Sequence, residues 1–198
     1  GDIANMLELQ ARDDAAPVVA RTAIAATLIQ FLRAMDKPVI AAINGAAAGG
    51  GANLALACDI RYGSTRTRFS ESFVKIGLVP DWGGHYLLTR LVGTSRAMEL
   101  MMLGDRIDAD EACRLGIVNA VFPAATFMQE VMSRAERLAQ GPAAALAAIK
   151  RGVYLGAEQA LDAVLDYEQR TQQRLFLSAD AREGMRAFMD KRSPRFKA

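Results

Sequence analysis

Apolar residues recur at helical spacing between Pro17 and Met35, at Ile24, Leu28, Phe31, Leu32 and Met35, and predict a helix there. Asp36-Lys37-Pro38 ends it, because the residue before a proline avoids helical angles. Val39 to Ile43 is apolar at every position and is bounded by Pro38 and Asn44-Gly45, the pattern of a strand covered on both faces. Gly49-Gly50-Gly51 then opens a helix that runs through Cys58. Asp59 to Tyr62 reads as a short strand, and Phe69-Ser70-Glu71-Ser72-Phe73 as another extended piece. Gly77 to Gly84 is a turn-rich loop leading into a helix from Tyr86 to Val92. Thr94 to Leu103 is a helix whose Met98, Met101 and Met102 suit a core. Asp108-Ala109-Asp110-Glu111 is a capping box for a helix through Leu115; Gly116 ends it, and Val118 to Phe122 is the next strand. The first sixteen residues become polar and unpatterned in their second half, which predicts a loop.

The pattern changes after Pro123. Residues 124–140, 142–155, 157–177 and 179–190 all read as helices, with Gly141-Pro142 and Gly156 separating the first three. The expected organisation is an α/β part over residues 1–123 and an all-helical part over residues 124–198.

Composition narrows the class. The chain has 198 residues, 52% hydrophobic and 23% charged, enough to bury a sizeable core. Its 24 basic and 22 acidic residues leave a net charge of +2, too balanced to point to nucleic acid. Basic residues gather only at Lys191, Arg192, Arg195 and Lys197, which reads as a solvated tail. The two cysteines, Cys58 and Cys113, form no CxxC pair and suit small buried positions in a reducing, cytoplasmic compartment. No apolar run is long enough to span a membrane. The chain starts at Gly1-Asp2-Ile3 without an initiator Met, so sequence upstream is expected.

Three places could carry chemistry. The first is Lys37 to Asp59, a buried strand feeding a Gly-rich helix start. It lacks the Gly-Lys-Ser/Thr of a phosphate loop, and its contiguous glycines do not make a dinucleotide fingerprint. Its N–H groups and helix dipole can hold developing negative charge; the same small residues also allow tight strand–helix packing. The second is Asp81, set among Ile76, Leu78, Val79 and Trp82. A carboxyl in such surroundings has its pKa raised, as a general acid or base needs; a turn aspartate capping the next helix has the same pattern. The third is His85, the one histidine. With no Gly-x-Ser-x-Gly elbow to supply a nucleophile, it reads as a surface or boundary residue rather than part of a hydrolase triad. No His, Cys or carboxylate cluster has the spacing of metal ligands.

Lys37-Pro38-Val39-Ile40-Ala41-Ala42-Ile43-Asn44-Gly45, Ala48-Gly49-Gly50-Gly51, Leu54-Ala55-Leu56-Ala57-Cys58-Asp59 and Gly77-Leu78-Val79-Pro80 together resemble the crotonase (enoyl-CoA hydratase/isomerase) superfamily. Leu103-Gly104-Asp105-Arg106-Ile107 and Gly116-Ile117-Val118-Asn119 extend the likeness nearly end to end. Gly1-Asp2-Ile3 is similar to the end of the family's Ala-Gly-Ala/Gly-Asp motif, so the opening strands of the family's fold would precede Gly1. The resemblance implies an α/β fold with a ββα spiral core, N-terminally incomplete here, and a C-terminal helical trimerisation region. It implies acyl-CoA thioesters as ligands, with coenzyme A part of the substrate and no other cofactor, no metal, no nucleic acid and no membrane. It implies a homotrimer or a dimer of trimers.

By the same resemblance the Gly50 N–H is one oxyanion donor, and the other falls at or just before Gly1. Substrate contacts are implied at Gly1, Ile3, Ala48, Gly49, Asn53, Phe73, Trp82, Phe188 and Lys191, the last two toward coenzyme A. Enoyl-CoA hydratases of the family carry two glutamates; those positions hold Asn53 and Phe73 here. Hydration needs one group to activate water and one to protonate carbon, so ordinary hydratase chemistry is not expected. Glu71, two residues from Phe73 and on the same face of a strand, is a weaker substitute. Asp81 stands where isomerases of the superfamily place a single carboxylate. Gly77 to Asp81, with Arg182 to Phe188 and Lys191 to Pro194, is most similar to the phenylacetate-pathway type of isomerase, which acts on ring-epoxide or unsaturated acyl-CoAs. The expected function is an acyl-CoA isomerase with Asp81 as proton shuttle and Gly50 as oxyanion donor. The alternatives are an enoyl-CoA hydratase or other thioester chemistry, and a non-catalytic acyl-CoA-binding subunit.

Overall fold

The computed structural model describes residues 2–196. The chain forms two compact units, one of residues up to Arg33 with Val39–Met128, the other of Ala34–Pro38 with residues from Gln129 onward.

The first unit opens with two helices, α1 (Ile3–Ala11) and α2 (Ala16–Ala34). The loop expected in the second half of the first sixteen residues is confined to residues 12–15, between the two helices. Asp2 explains the start: its carboxylate accepts from the N–H groups of Ala4 and Asn5 at 3.0 and 3.3 Å. Ile3, Met6, Leu7 and Gln10 follow at helical spacing, and the Arg21 guanidinium of α2 donates to Asn5 Oδ1 at 2.7 Å.

Two small sheets follow. β1 (Ile40–Ile43), β3 (Ile60–Ser64) and β6 (Ala120–Phe122) form an all-parallel sheet in the order β1-β3-β6. β2 (Ala46–Ala48) pairs in parallel with β4 (Arg68–Ser70), which pairs antiparallel with the two-residue β5 (Ile107–Asp108). Neither β2 nor β5 was signalled by pattern: β2 is three alanines, and two residues show no alternation. α3 (Gly50–Ala57) leaves the end of β2, and α4 (Gly84–Val92), α5 (Thr94–Leu103) and α6 (Ala109–Arg114) complete the unit's layers. The capping aspartate behaves as expected, with Asp108 Oδ1 accepting from the Glu111 N–H at 2.9 Å. One core of Ile29, Ile43, Ala52, Leu56, Phe69, Leu88, Leu100, Ile117 and Val118 binds helices to sheets. Burying each large side chain contributes roughly 1.5–3 kcal/mol.

Small residues are needed where α3 meets its neighbours. Ala52 and Phe69 are fully buried, and the Gly49 N–H donates to the Ser70 carbonyl at 3.0 Å. That bond continues the β2–β4 register of Ala48 with Ser70 and ends the ladder where α3 begins. Gly49 has φ 53°, a conformation that favours glycine.

The second unit carries α8 (Ala143–Glu158), α9 (Leu161–Phe176), α10 (Ala179–Met189) and most of α7 (Phe127–Ala139). The Tyr167 hydroxyl joins α9 to α8 by donating to the Ala148 carbonyl at 2.8 Å. Lys150 Nζ donates to the Lys37 carbonyl at 3.2 Å, and Arg151 pairs with Asp36 at 2.6 Å. These contacts hold residues 34–38 against α8. Among the described residues, no helix is long and apolar enough to cross a membrane.

Candidate active site

The Gly-rich helix start, the segment after β4 and the loop before α4 converge. α3 begins at Gly50, so the N–H groups of its first turn have no carbonyl within the helix to bond. A Cβ on Gly50 would lie 3.4 Å from the Trp82 Nε1, which places the indole over the helix start. A Cβ on Gly49 would lie 3.5 Å from the Phe73 ring. Two of the implied substrate contacts, Phe73 and Trp82, thus flank the two glycines.

Backbone geometry sets the loop. β4 stops at Ser70, and Ser72–Ile76 is a 3-10 helix closed by Gly77 at φ 71°. Strand alternation therefore does not extend to Phe73, and the expectation that Glu71 shares its face fails. Glu71 is instead fully buried and turned to Asn53, while Phe73 packs over Gly49. Trp82 has φ 51°, an uncommon conformation for a bulky residue, followed by Gly83 at φ 80°. This tight turn carries Asp81 on one side and starts α4 on the other.

Asn53 joins the pieces. Its Nδ2 donates to the Asp81 backbone carbonyl at 2.9 Å and to Glu71 Oε2 at 3.4 Å. Both amide hydrogens are thereby used. Three buried oxygens have no partner among the described residues: Asn53 Oδ1, Glu71 Oε1 and Asp81 Oδ1. Buried acceptors of this kind are uncommon and concentrate at functional sites. Burial pushes the Glu71 carboxyl up to about 7; the Asn53 hydrogen bond opposes that shift and the Asp81 charge adds to it. Burial also raises the Asp81 carboxyl above its ordinary range. The raised carboxyl expected at Asp81 is present, and a second, larger shift sits beside it.

Gly84 was not signalled as part of the site. A Cβ there would lie 2.5 Å from Asn53 Nδ2 and 2.6 Å from Oδ1, so only glycine lets α4 start against the amide. The available signal was the Gly83-Gly84 pair directly after Trp82, where a loop must turn into a helix.

Ala48 is the exposed last residue of β2, one residue before Gly49. Ile3 lines a cavity of about 360 Å³ with Met6, Leu7, Val18, Ile76 and Leu78. Asp81 does not line this cavity, but Leu78, three residues earlier, forms part of its wall. Between residues 7 and 16 the wall is made by Leu7, Leu9 and Gln10 of α1 and by Asp13, Asp14 and Ala15 of the loop that follows it. Phe188 and Lys191 belong to the second unit, Phe188 being 83% exposed. Gly1 lies outside the described residues. The basic tail is not uniformly solvated: Arg192 grips Glu183 through two nitrogens at 2.7 and 3.1 Å. His85 is exposed on the first turn of α4, with no carboxylate bonded to it among the hydrogen bonds described.

The arrangement offers a half-buried carboxyl, Asp81, on a loop tied to a helix start covered by an indole, with the fully buried Glu71 carboxyl behind the Asn53 amide. It can move a proton and stabilise negative charge on an oxygen. Among the described residues there is no cluster of three or more potential metal ligands.

The model of one protein family, enoyl-CoA hydratase/isomerase, matches residues 1–198. The chain is 41% identical over 169 residues to the 1,2-epoxyphenylacetyl-CoA isomerase of Escherichia coli K12, covering 85% of this chain and 64% of that protein. It is 39% identical over 166 residues to the mitochondrial enoyl-CoA hydratase of Pongo abelii, covering 84% of this chain and 57% of that protein. The chain thus spans less than two thirds of the length of either relative. The crystal structure of an enoyl-CoA hydratase from Polaromonas sp. JS666 superposes with a TM-score of 0.91 at 36% identity, covering 97% of this chain and 76% of that one.

Proposed function

The chain belongs to the enoyl-CoA hydratase/isomerase family, and we propose that it acts as an acyl-CoA isomerase. The fold is that of the crotonase superfamily, mixed α/β with a helical C-terminal part. Asp81 is the proton shuttle in this reading. Its carboxylate takes a proton from one carbon of an unsaturated acyl thioester, and the C–H electron pair moves toward the thioester oxygen. The Gly50 N–H and the α3 dipole stabilise that oxyanion. Collapse of the enolate then takes the same proton back from Asp81 at a different carbon, and the double bond has moved. One carboxylate suffices.

The observation that carries the reading is the combination at α3. The two positions where a hydratase would hold glutamates are Asn53 and Phe73, and Asn53 is instead bonded to the backbone of the one loop that brings a carboxyl with raised pKa, Asp81. The name of the E. coli relative suggests a ring acyl-CoA as one candidate substrate. The cavity that begins at Leu78 is mostly apolar, with Gln10, Asp13 and Asp14 on one part of its wall, and suits a largely apolar acyl group. Self-association through the exposed Ile149, Val153, Phe176 and Leu177 of the helical unit is part of the same proposal.

Asp81→Asn tests it. Isomerisation of a β,γ-unsaturated acyl-CoA should fall by about 10²–10⁴-fold, the usual range for loss of an acid–base group. Retention of most activity sinks the assignment. Hydration is the second reading, favoured by the hydratase names among the similar proteins and by Glu71, a buried carboxyl with a strongly raised pKa. Crotonyl-CoA hydration that survives Asp81→Asn and is lost in Glu71→Gln would support hydration instead.

A further inference from the structure

Glu71 has no role in the one-carboxylate reaction, yet it is one of the largest fully buried side chains of the chain. Its surroundings are unusual. The Asn53 amide gives one hydrogen to Glu71 Oε2 and the other to the Asp81 carbonyl. What is left is Glu71 Oε1 and Asn53 Oδ1, two buried acceptors without a donor. An ionised Glu71 would keep both oxygens unpaired and add a buried charge that only one amide hydrogen faces. A proton on Oε1 changes this. It gives Asn53 Oδ1 a donor, satisfies both oxygens with one bond, and turns the two side chains into a doubly bonded acid–amide pair.

We propose that Glu71 works as a neutral carboxylic acid, donating its proton to Asn53 Oδ1, and that this acid–amide pair positions the Asp81 loop against the start of α3. Glu71 is a positioning residue: its side chain is covered, and it acts through the amide. Burial supports the assignment, since it pushes this carboxyl up to about 7. The charged groups around it are few. Asp81, on the loop before α4, disfavours ionisation of Glu71. Lys75, on the 3-10 helix, turns its ammonium to Asp105 at 3.2 Å. Arg68, on β4, donates to the Thr67 carbonyl. Asn53 on α3 and Gly84 at the start of α4 do not titrate. Once Glu71 ionises, the acid–amide bond is lost, a second negative charge faces Asp81, and the loop loses its anchor. The proposal rests on the isomerase reading only for the identity of the base.

Infrared titration of the full chain tests the pair without any turnover. The wild type should show the C=O stretch of a protonated carboxyl at pH 6 that disappears as pH rises through about 7 and is missing from Glu71→Gln. Wild-type and Glu71→Gln spectra that match in the carboxylic-acid region at pH 6 overturn the proposal. Kinetics test the positioning role. Above pH 7, kcat/KM for isomerisation should fall about tenfold per pH unit in the wild type, and this limb should vanish in Glu71→Gln, whose amide cannot ionise. Identical alkaline limbs in the two proteins overturn that role. Glu71→Met, which can neither donate nor accept, should lower kcat at least tenfold across the whole range, with Glu71→Gln recovering most of the loss; a Met variant as active as the Gln variant also counts against it. A wild type that isomerises nothing refutes the proposed reaction, and the infrared band then decides the acid–amide pair by itself.

Discussion

The side-chain amide of Asn53 donates to the backbone carbonyl of Asp81 at 2.9 Å, across 28 residues of sequence. A helix and a loop that share no strand are joined by this bond, fully buried at its Asn53 end and half-buried at Asp81. Asn53→Leu should lower stability by about 2–4 kcal/mol, because it takes the amide donor from the buried Glu71 carboxyl, leaves the Asp81 carbonyl with the Gly84 N–H alone, and forces a different shape into a closed space. Urea unfolding with an unchanged m-value measures this. A loss under about 0.5 kcal/mol would mean the bond contributes little.

Gly84→Ala tests the same junction from the other side. The new methyl would lie 2.5 Å from Asn53 Nδ2, so amide or helix must move. Overpacking of this kind costs about 1–3 kcal/mol. Gly51→Ala is the control. Nothing lies within 4 Å of its Cβ, and the position is within α3, so alanine should stabilise by about 0.5–1 kcal/mol. Thermal melts of the two variants should shift in opposite directions.

Stability should fall as pH rises toward neutral. The Glu71 carboxyl is raised from 4.5 in the unfolded chain to about 7 in the fold. The folded state therefore holds a proton that the unfolded state releases between these values. Its contribution is complete below pH 4.5 and is lost as pH climbs to about 7, amounting to about 3 kcal/mol over the window. Glu71→Gln should flatten this part of the curve. A wild type equally stable at pH 5 and pH 7.5, with a Gln variant of the same profile, contradicts it.

The end of the chain should titrate in the opposite sense. Hydrogen bonds from Arg192, and then from the Arg195 N–H at 2.8 Å, pull the Glu183 carboxyl down to about 2. The contribution of this pair is present above the ordinary glutamate value and is lost as pH falls toward about 2. In Arg192→Ala the Glu183 carboxyl should return most of the way to its ordinary value, read by carbon NMR titration. An unmoved Glu183 would show that Arg192 does not hold it.

Much of the frame was legible because its signals are local. The apolar run Val39–Ile43 is visible within a few residues, as are the cap at Asp108, the helix-ending Gly116 and the long helical periods after Pro123. β2 and β5 were not, since three alanines and a two-residue bridge take their structure from partners elsewhere in the chain. The polar second half of the first sixteen residues predicts a loop, which holds over residues 12–15; α1 carries on to Ala11 because Ile3, Met6, Leu7 and Gln10 keep a helical period. At the site, Asp81 could be picked out from its apolar neighbours. Glu71 was noticed but placed on a strand that ends one residue too early. Its burial depends on Ser72–Ile76 turning into a 3-10 helix and on an amide 18 residues away. Gly84 mattered only once the position of Asn53 was known.

The backbone bond from Gly49 to Ser70 divides the site into a fixed half and a replaceable half. The helix start is locked to β4 through main-chain atoms, which any side chains can supply. The stretch from Ser72 to Gly83 hangs between that lock and α4, and it carries the base, the covering indole and part of the cavity wall. Its length and residues can drift without disturbing the oxygen-binding end. A scaffold built this way can change its reaction or its acyl group by rewriting about a dozen residues. Grafting this segment between relatives should transfer specificity more readily than point changes on α3.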